Sequence, residues 1–133
     1  VEKISRPQNW LLAAAPYCPD CRVFVPFIQK MAELNPNIRV NYIARNDFDA
    51  SSRFENLRQQ EIVRANQKIP ALFLMGHEED GPVFNEFPQV VLNQIVADET
   101  RRTELRDAYR AGEFNADIEA QIVAALAWAE QRC

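Results

Sequence analysis

The stretch Tyr17-Cys18-Pro19-Asp20-Cys21 decides how the rest of this 133-residue chain is interpreted. It follows an apolar run at residues 10–15 and opens an amphipathic segment that ends near residue 34. The unpaired backbone N–H groups and the dipole at a helix N-terminus favour negative charge, so a cysteine placed there ionises more easily. The stretch therefore predicts a strand that delivers a dithiol to the first turn of a helix.

The proline and the aspartate between the two cysteines fit this geometry. If Cys18 is the N-cap, Pro19 occupies the first helical position, where its missing N–H costs nothing and its fixed φ suits the helix. Cys21 then lies within one turn of Cys18, close enough to form a small disulfide. Asp20 suits the helix dipole, but its negative charge opposes formation of a thiolate at Cys18. We therefore predict a redox pair, Cys18 and Cys21, that is modulated by Pro19 and Asp20.

Two other interpretations of the cysteines stay open at this point. A Cys-x-x-Cys pair is also half of a structural zinc site, and the remaining candidate ligands are His77 in a loop-like region and Cys133 at the last position. The second alternative is a pair of buried, inert thiols, which the polar Pro-Asp insert argues against. Because the sequence has no second close pair of cysteines, we favour the redox pair and expect no bound metal.

Length, composition and charge are those of one ordinary globular domain, predicted to span residues 1–133. The chain is 47% hydrophobic and 26% charged. Its net charge of −4 gives no sign of a nucleic-acid or membrane partner, and no apolar run approaches the ~20 residues of a membrane span. Three cysteines are too few for a disulfide framework. We expect a cytoplasmic protein, with native residues missing before Val1 because the sequence does not begin with Met.

Hydrophobic periodicity predicts the order of the remaining elements. Strands are expected at residues 10–15, 38–44, 71–75 and 83–87. Helices are expected at residues 18–34 and 52–66, the second after a Ser52–Glu55 capping box, and two more helices begin at Pro88 and at Asn115. The last two strands form a hairpin across a polar turn, in which His77 is interpreted as an exposed loop residue. The charged section from residue 98 to residue 110 is interpreted as a solvated face, with the helix either continuing or breaking near Asp98.

This order of elements resembles that of the thioredoxin family. The cysteine motif stands where that family has its redox motif, and Pro26, five residues after the second cysteine, matches a helix-kinking proline. Ile69-Pro70 matches the family's cis-proline loop, which packs against the cysteines. The resemblance covers residues 10–97 and implies an α/β thioredoxin fold, a mixed four-stranded sheet flanked by helices. Residues 98–133 resemble the helical C-terminal extension of a bacterial subgroup.

The resemblance implies a thiol–disulfide oxidoreductase. Cys18 would attack a substrate sulfur, Cys21 would resolve the mixed disulfide, and Tyr17, Ile69 and Pro70 would line the substrate-binding groove. The implied partners are protein or small-molecule disulfides and an upstream thiol reductant, with no cofactor. The alternative function is a non-catalytic binding module in which the same fold docks a partner.

The sequence also departs from the family in several places. Leu12 stands six residues before the first cysteine, where thioredoxins have a buried acid that assists proton transfer. Tyr17 replaces the tryptophan that precedes the motif in the family. Pro-Asp replaces the usual Gly-Pro between the cysteines and is similar to the insert of small thioredoxin-related proteins. Residues 1–9 have no obvious counterpart of the family's first strand and helix. These departures leave the partner and the redox direction open.

Overall fold

A mixed sheet of four strands forms the centre of the computed structural model, which describes residues 4–15, 17–44, 61–62, 65–66 and 68–132. The strands are β1 (Gln8–Ala14), β2 (Ile38–Ala44), β3 (Ala71–Leu74) and β4 (Phe84–Asn85). They lie in the order β2-β1-β3-β4, with β1 parallel to β2 and antiparallel to β3, and β3 antiparallel to β4. The predicted fold class is confirmed.

Four helices with described bounds flank this sheet. They are α1 (Pro19–Leu34), α2 (Gln89–Ala97), α3 (Arg102–Arg110) and α4 (Asn115–Glu130), with short 3₁₀ helices at Glu78–Asp80 and Glu99–Arg101. The predicted Ser52–Glu55 capping box lies outside the described residues, although the backbone is helical at 61–62 and 65–66. None of the helices in the described ranges is both long enough and apolar enough to cross a membrane.

Strand β1 is buried on both faces of the sheet, as its unbroken apolar sequence predicts. Residues 10–13 are each at most 2% exposed. Trp10 and Leu12 belong to the larger core cluster, which also contains residues of α1 and of the three C-terminal helices. Leu11 and Ala13 point to a second cluster on the other face, which contains Cys21. Successive strand residues alternate between the two faces, so this single strand serves both cores.

Helix α1 connects the parallel strands β1 and β2, since parallel neighbours need a crossover connection. Its apolar stripe of Phe24, Ile28 and Met31 is buried in the larger cluster, and the Phe24 ring stacks on Phe84 of β4 with ring centroids 3.8 Å apart. Pro26 lies inside the helix, as predicted, where it removes one backbone hydrogen bond. The stripe fixes which side of the sheet carries the helix and therefore where its N-terminus lies.

The predicted fourth strand at residues 83–87 is too long, because the regular strand covers only Phe84–Asn85. Glu86 has a φ of 70°, in the left-handed region that L-residues rarely adopt. The extended backbone therefore ends there, and the chain turns into an isolated bridge between Asn85 and Phe87. The Glu86 N–H donates a 2.7 Å hydrogen bond to the carbonyl of Pro70, which fixes this turn beside the start of β3.

The interpretation of residues 98–110 as a solvated face is wrong on one side of the helix. The chain breaks at Asp98, whose carboxylate accepts a 3.1 Å hydrogen bond from the Thr100 N–H, and α3 follows. Leu105 is 3% exposed and Tyr109 is fully buried. These residues are four apart in sequence and so share one buried face of α3, while the charged residues between them are partly or fully exposed.

The last helix has a buried apolar stripe of Ile118, Ile122, Leu126 and Ala129, all in the larger cluster. Asn115 is the first helical residue of α4 and not its cap, since Phe114 holds the N-cap position.

The buried Gln8 side chain joins α4 to β1. It donates a 3.0 Å hydrogen bond to the carbonyl of Leu126 and accepts one of 3.1 Å from the Trp10 indole. The C-terminal helices thus share the core of the sheet.

Candidate active site

Cys18 lies at the N-cap of α1, as the sequence predicts. Its backbone is extended, with φ −86° and ψ 113°, and its Sγ accepts a 3.3 Å hydrogen bond from the Cys21 N–H. Pro19 follows at the first helical position. The Cys18 side chain is half-buried, and its sulfur lies against a backbone donor.

Cys21 lies behind Cys18 in the protein interior. It is 2% exposed and belongs to the smaller core cluster, against which Cys18 packs. Burial raises the pKa of the Cys21 thiol to about 12, and interactions with Cys18 and the charge of Asp20 add to this rise, while a hydrogen bond with the Ala15 backbone opposes it. Both cysteines are free thiols in this structure. The two thiols therefore differ in burial, with Cys21 in the interior and Cys18 half-buried.

The loop before β3 contributes a residue to the core cluster that contains Cys21. The peptide bond between Ile69 and Pro70 is cis, and both residues are buried. Ile69 belongs to the same cluster as Cys21. Tyr17, by contrast, is 60% exposed. Of the residues predicted to bind substrate, the fold thus packs Ile69 into the cysteine cluster, and the Tyr17 ring lies at the surface.

Two residues of α3 reach the redox motif, and the sequence interpretation missed both. The Arg110 guanidinium donates a 2.8 Å hydrogen bond from Nε to Oδ1 of Asp20, and the Tyr109 hydroxyl donates one of 2.9 Å to the Asp20 carbonyl. The Tyr109 ring also packs edge-on against Phe87, with centroids 5.3 Å apart. The spacing of Leu105 and Tyr109 was the available signal, since it marks a buried face in an otherwise charged segment.

Asp20 is the centre of these contacts. Its side chain is only 12% exposed, compared with 35% for Arg110. The hydrogen bond with Asp20 raises the pKa of Arg110, and the charges of Asp20, Asp107 and Cys18 act in the same direction. Burial raises the pKa of Tyr109 above its ordinary range, and the charge of Asp20 adds to that effect. The aspartate between the cysteines is therefore an ion-paired group and not a solvated one.

The position of the family's buried acid is apolar here, because Leu12 is fully buried in the larger cluster. The zinc interpretation finds no support among the described residues, where no three His, Cys, Asp or Glu side chains form a group able to hold a metal. His77 is half-buried, with Nδ1 3.7 Å from an Asp80 oxygen and its ring near Trp128. Cys133 lies outside the described part of the chain.

A shallow, mostly apolar groove of about 520 Å³ lies beside Cys21, between α1 and the ends of β1 and β2. Its lining residues are Ala14, Ala15, Cys21, Arg22, Val25, Pro26, Gln29, Tyr42 and Ile43. Tyr17, Ile69 and Pro70 do not line this groove as far as the structure describes it. The groove and the predicted substrate-binding residues are thus different surfaces around the same pair of cysteines.

Comparison with known proteins agrees with this architecture. A family model described as thioredoxin matches residues 1–106 of the sequence, which include both cysteines and the cis-proline loop. The chain belongs to the thioredoxin family. The match confirms the family that the motif and the order of elements predicted, and it extends beyond β4 into the first half of α3.

Two solved structures resemble this thioredoxin-family chain over almost its whole length. The first is the crystal structure of a protein of unknown function from Pseudomonas aeruginosa, whose sequence is 27% identical to this one. The two structures match with a TM-score of 0.61, and the match covers 99% of this chain and 70% of the other. An HIV epitope scaffold is 26% identical, with a TM-score of 0.60, covering 98% and 70%. No curated protein matches the sequence significantly. The relatives thus support the fold including the C-terminal helices, and the family supports redox chemistry only in general terms.

Proposed function

We propose that this protein is a thiol–disulfide oxidoreductase in which Cys18 is the nucleophile and Cys21 the resolving cysteine. The observation that carries the proposal is the difference between the two sulfurs. Cys18 is half-buried at a helix N-cap with a backbone donor 3.3 Å from its Sγ, whereas Cys21 is 2% exposed. Helix N-termini favour thiolates, and the thiolate is the reactive form in disulfide exchange.

In the first step the Cys18 thiolate attacks one sulfur of a substrate disulfide. A bond forms between Cys18 Sγ and that sulfur, the substrate S–S bond breaks, and the second substrate sulfur leaves as a thiolate that takes up a proton. The hydrogen bond from the Cys21 N–H holds the attacking sulfur in place. The product is a mixed disulfide between Cys18 and the substrate.

In the second step Cys21 loses its proton and attacks the sulfur of Cys18. The Cys18–Cys21 disulfide forms, and the first substrate sulfur leaves as a thiolate and is protonated, so two electrons and two protons have passed to the substrate. Among the causes that raise the pKa of Cys21, burial comes first and interactions with Cys18 follow. A thiolate at Cys18 no longer exists in the mixed disulfide, so Cys21 becomes more acidic at the stage where it must react.

The proposed substrates are protein or small-molecule disulfides, and an upstream thiol reductant restores the dithiol by the reverse exchange. Tyr17, Ile69 and Pro70 are proposed to form the substrate-binding surface, supported by the cis bond and by the packing of Ile69 in the Cys21 cluster. The proposal includes a cytoplasmic setting, where thiol reductants keep cysteines reduced.

Equilibration with mixtures of reduced and oxidised glutathione tests the redox reaction. We expect one reversible two-electron transition that involves Cys18 and Cys21. Limiting iodoacetamide followed by peptide mapping tests the roles, and Cys18 should be alkylated well before Cys21. Faster labelling of Cys21 would reverse the roles, and the absence of a reversible transition would refute the oxidoreductase.

Trapping of mixed disulfides separates an enzyme from a binding module. Cys21→Ser should accumulate mixed disulfides through Cys18, because the resolving step is lost. Cys18→Ser is the matched control, since it removes the accessible thiol from the same motif, and it should trap nothing. Equal trapping by both variants, or by neither in the presence of a model disulfide substrate, would favour the non-catalytic alternative.

A further inference from the structure

The redox motif is tied to the C-terminal part of the chain through Asp20. Arg110 binds its carboxylate at 2.8 Å and Tyr109 binds its carbonyl at 2.9 Å. Asp20 lies between the two cysteines in sequence, on the first turn of α1, and its side chain is 12% exposed. A charge-assisted contact of this kind, partly withdrawn from water, is screened less than a surface ion pair.

The ion pair lies within electrostatic range of both sulfurs. The charge of Asp20 contributes to the raised pKa of Cys21, after burial and the interactions with Cys18. The charge of Cys18 contributes to the raised pKa of Arg110, after the hydrogen bond with Asp20 and the charges of Asp20 and Asp107. Removing either member of the pair would therefore change the electrostatic potential at the thiol.

We infer that Arg110, paired with Asp20, is a positioning residue that sets the reduction potential of the Cys18–Cys21 couple. The inference rests on the proposed oxidoreductase function and deepens it. Arg110 does not touch the reacting sulfurs in this scheme. It cancels the negative charge of Asp20 beside Cys18 and, with Tyr109, fixes the first turn of α1 against α3. A segment outside the Cys-x-x-Cys helix thereby tunes the chemistry of the pair.

The direction of the effect follows from the charges. An uncompensated Asp20 carboxylate destabilises a thiolate at Cys18, whereas an uncompensated Arg110 guanidinium stabilises it. Stabilising the thiolate favours the reduced protein, which makes the disulfide easier to reduce and raises the reduction potential. Arg110→Gln should therefore lower the potential, and Asp20→Asn should raise it. Both substitutions break the same contact, so a purely structural role would move the potential in the same direction.

Other charged groups on α3 provide the controls. Arg106 lies on the same helix, 3.3 Å from Asp107, and its side chain is 39% exposed. Arg106→Gln removes the same charge from α3 without touching Asp20. Arg110→Lys keeps the positive charge and loses the geometry of the guanidinium, so it separates charge from shape. The double variant Asp20→Asn with Arg110→Gln removes both charges and leaves the net charge at this position unchanged.

The experiment equilibrates the full-length wild-type protein and these variants with glutathione couples at neutral pH and measures the oxidised fraction. We expect the equilibrium constant for reduction to fall about threefold to tenfold in Arg110→Gln and to rise by a similar factor in Asp20→Asn, which is about 15 to 30 mV each way. Arg110→Lys, Arg106→Gln and the double variant should stay within about twofold of the wild type. Circular dichroism verifies that each variant is folded.

Three outcomes would overturn the inference. They are shifts of the same sign in Arg110→Gln and Asp20→Asn, shifts below about twofold in both, and an equal shift in Arg106→Gln. If Arg110→Gln does not fold, the test compares Asp20→Asn with the double variant. The inference then requires that the equilibrium constant for reduction rise in Asp20→Asn and return to the wild-type value in the double variant. If the wild type shows no redox transition, the proposed function fails. The inference is then judged on Cys18 alkylation rates, which should fall in Arg110→Gln and rise in Asp20→Asn.

Discussion

The Tyr109→Phe substitution isolates one hydrogen bond between the C-terminal helices and the redox motif. Tyr109 is fully buried, and its hydroxyl donates to the carbonyl of Asp20 at 2.9 Å. Its ring packs against Phe87 with an interplanar angle of 83°. Phenylalanine keeps the ring and its packing and removes only the donor. The change therefore tests whether α3 is held on α1 by this contact.

The size of the effect follows from the burial of that bond. A typical intramolecular hydrogen bond contributes a net 0.5–1.5 kcal/mol, so we expect the free energy of unfolding to fall by about 1 kcal/mol in Tyr109→Phe. For a domain of this length the melting temperature should fall by about 4 °C. Tyr109→Ala also removes the ring from a packed core, and its expected loss is about 3–5 kcal/mol.

Urea unfolding followed by circular dichroism measures both losses. Tyr42→Phe is the matched control, because it removes the same hydroxyl from a side chain that is 46% exposed, and its effect should stay within about 0.5 kcal/mol. The reasoning is refuted if Tyr109→Phe behaves like Tyr42→Phe while Tyr109→Ala costs less than about 1 kcal/mol. Such values would mean that α3 is not packed on α1.

The same residue gives a pH dependence with a defined sign. Burial raises the pKa of Tyr109 above the ordinary value of 10.0, with the charge of Asp20 as the next cause. The folded protein then holds this proton more tightly than the unfolded chain does. The contribution of this raised pKa to the stability of the fold is fully present below pH 10.0 and is lost as the pH rises above that value. Tyr109→Phe should lose less stability than the wild type on going above that pH, and identical slopes would contradict the assignment.

Three further predictions concern other parts of the chain. Gln8→Ala leaves the buried Trp10 indole N–H without its acceptor and removes a tie to α4, so urea unfolding should show a loss of about 1–3 kcal/mol. Gly112→Ala should destabilise more than Gly76→Ala in the same assay, because both have positive φ but only at Gly112 does an added Cβ meet a side-chain nitrogen, at 3.2 Å. Alkylation of Cys21 in the folded protein should require a higher pH than in urea, because burial raises its pKa from 9.0 to about 12, and equal pH profiles would exclude this.

The sequence by itself determined the elements whose signals are local. The apolar run before the motif predicted a strand buried on both faces, and residues 10–13 are at most 2% exposed. Cys18 and Pro19 predicted the first turn of α1, because N-cap and first-turn preferences depend on a few neighbouring residues. The motif with Ile69-Pro70 predicted the family, since this combination is far more specific than the cysteines alone.

Local signals were weaker where the backbone leaves its regular conformation. The sequence predicted a strand through residue 87, but the positive φ of Glu86 ends it after Asn85. Nothing in the Glu86 side chain calls for that conformation, and a glycine would have given the signal. The N–H of Glu86 bonds to the carbonyl of Pro70, so a contact between two distant loops coincides with the end of the strand.

Only the tertiary structure decided what Asp20 does. From the sequence its carboxylate was a helix-start charge that opposes a thiolate, and α3 was a solvated face. In the fold Arg110, which is 90 positions away, binds that carboxylate, and Tyr109 binds the carbonyl of the same residue. Periodicity shows that a helix has a buried face, but it does not show which element covers that face. The partner of a charge depends on how the helices dock on the sheet, and that is set by the whole core.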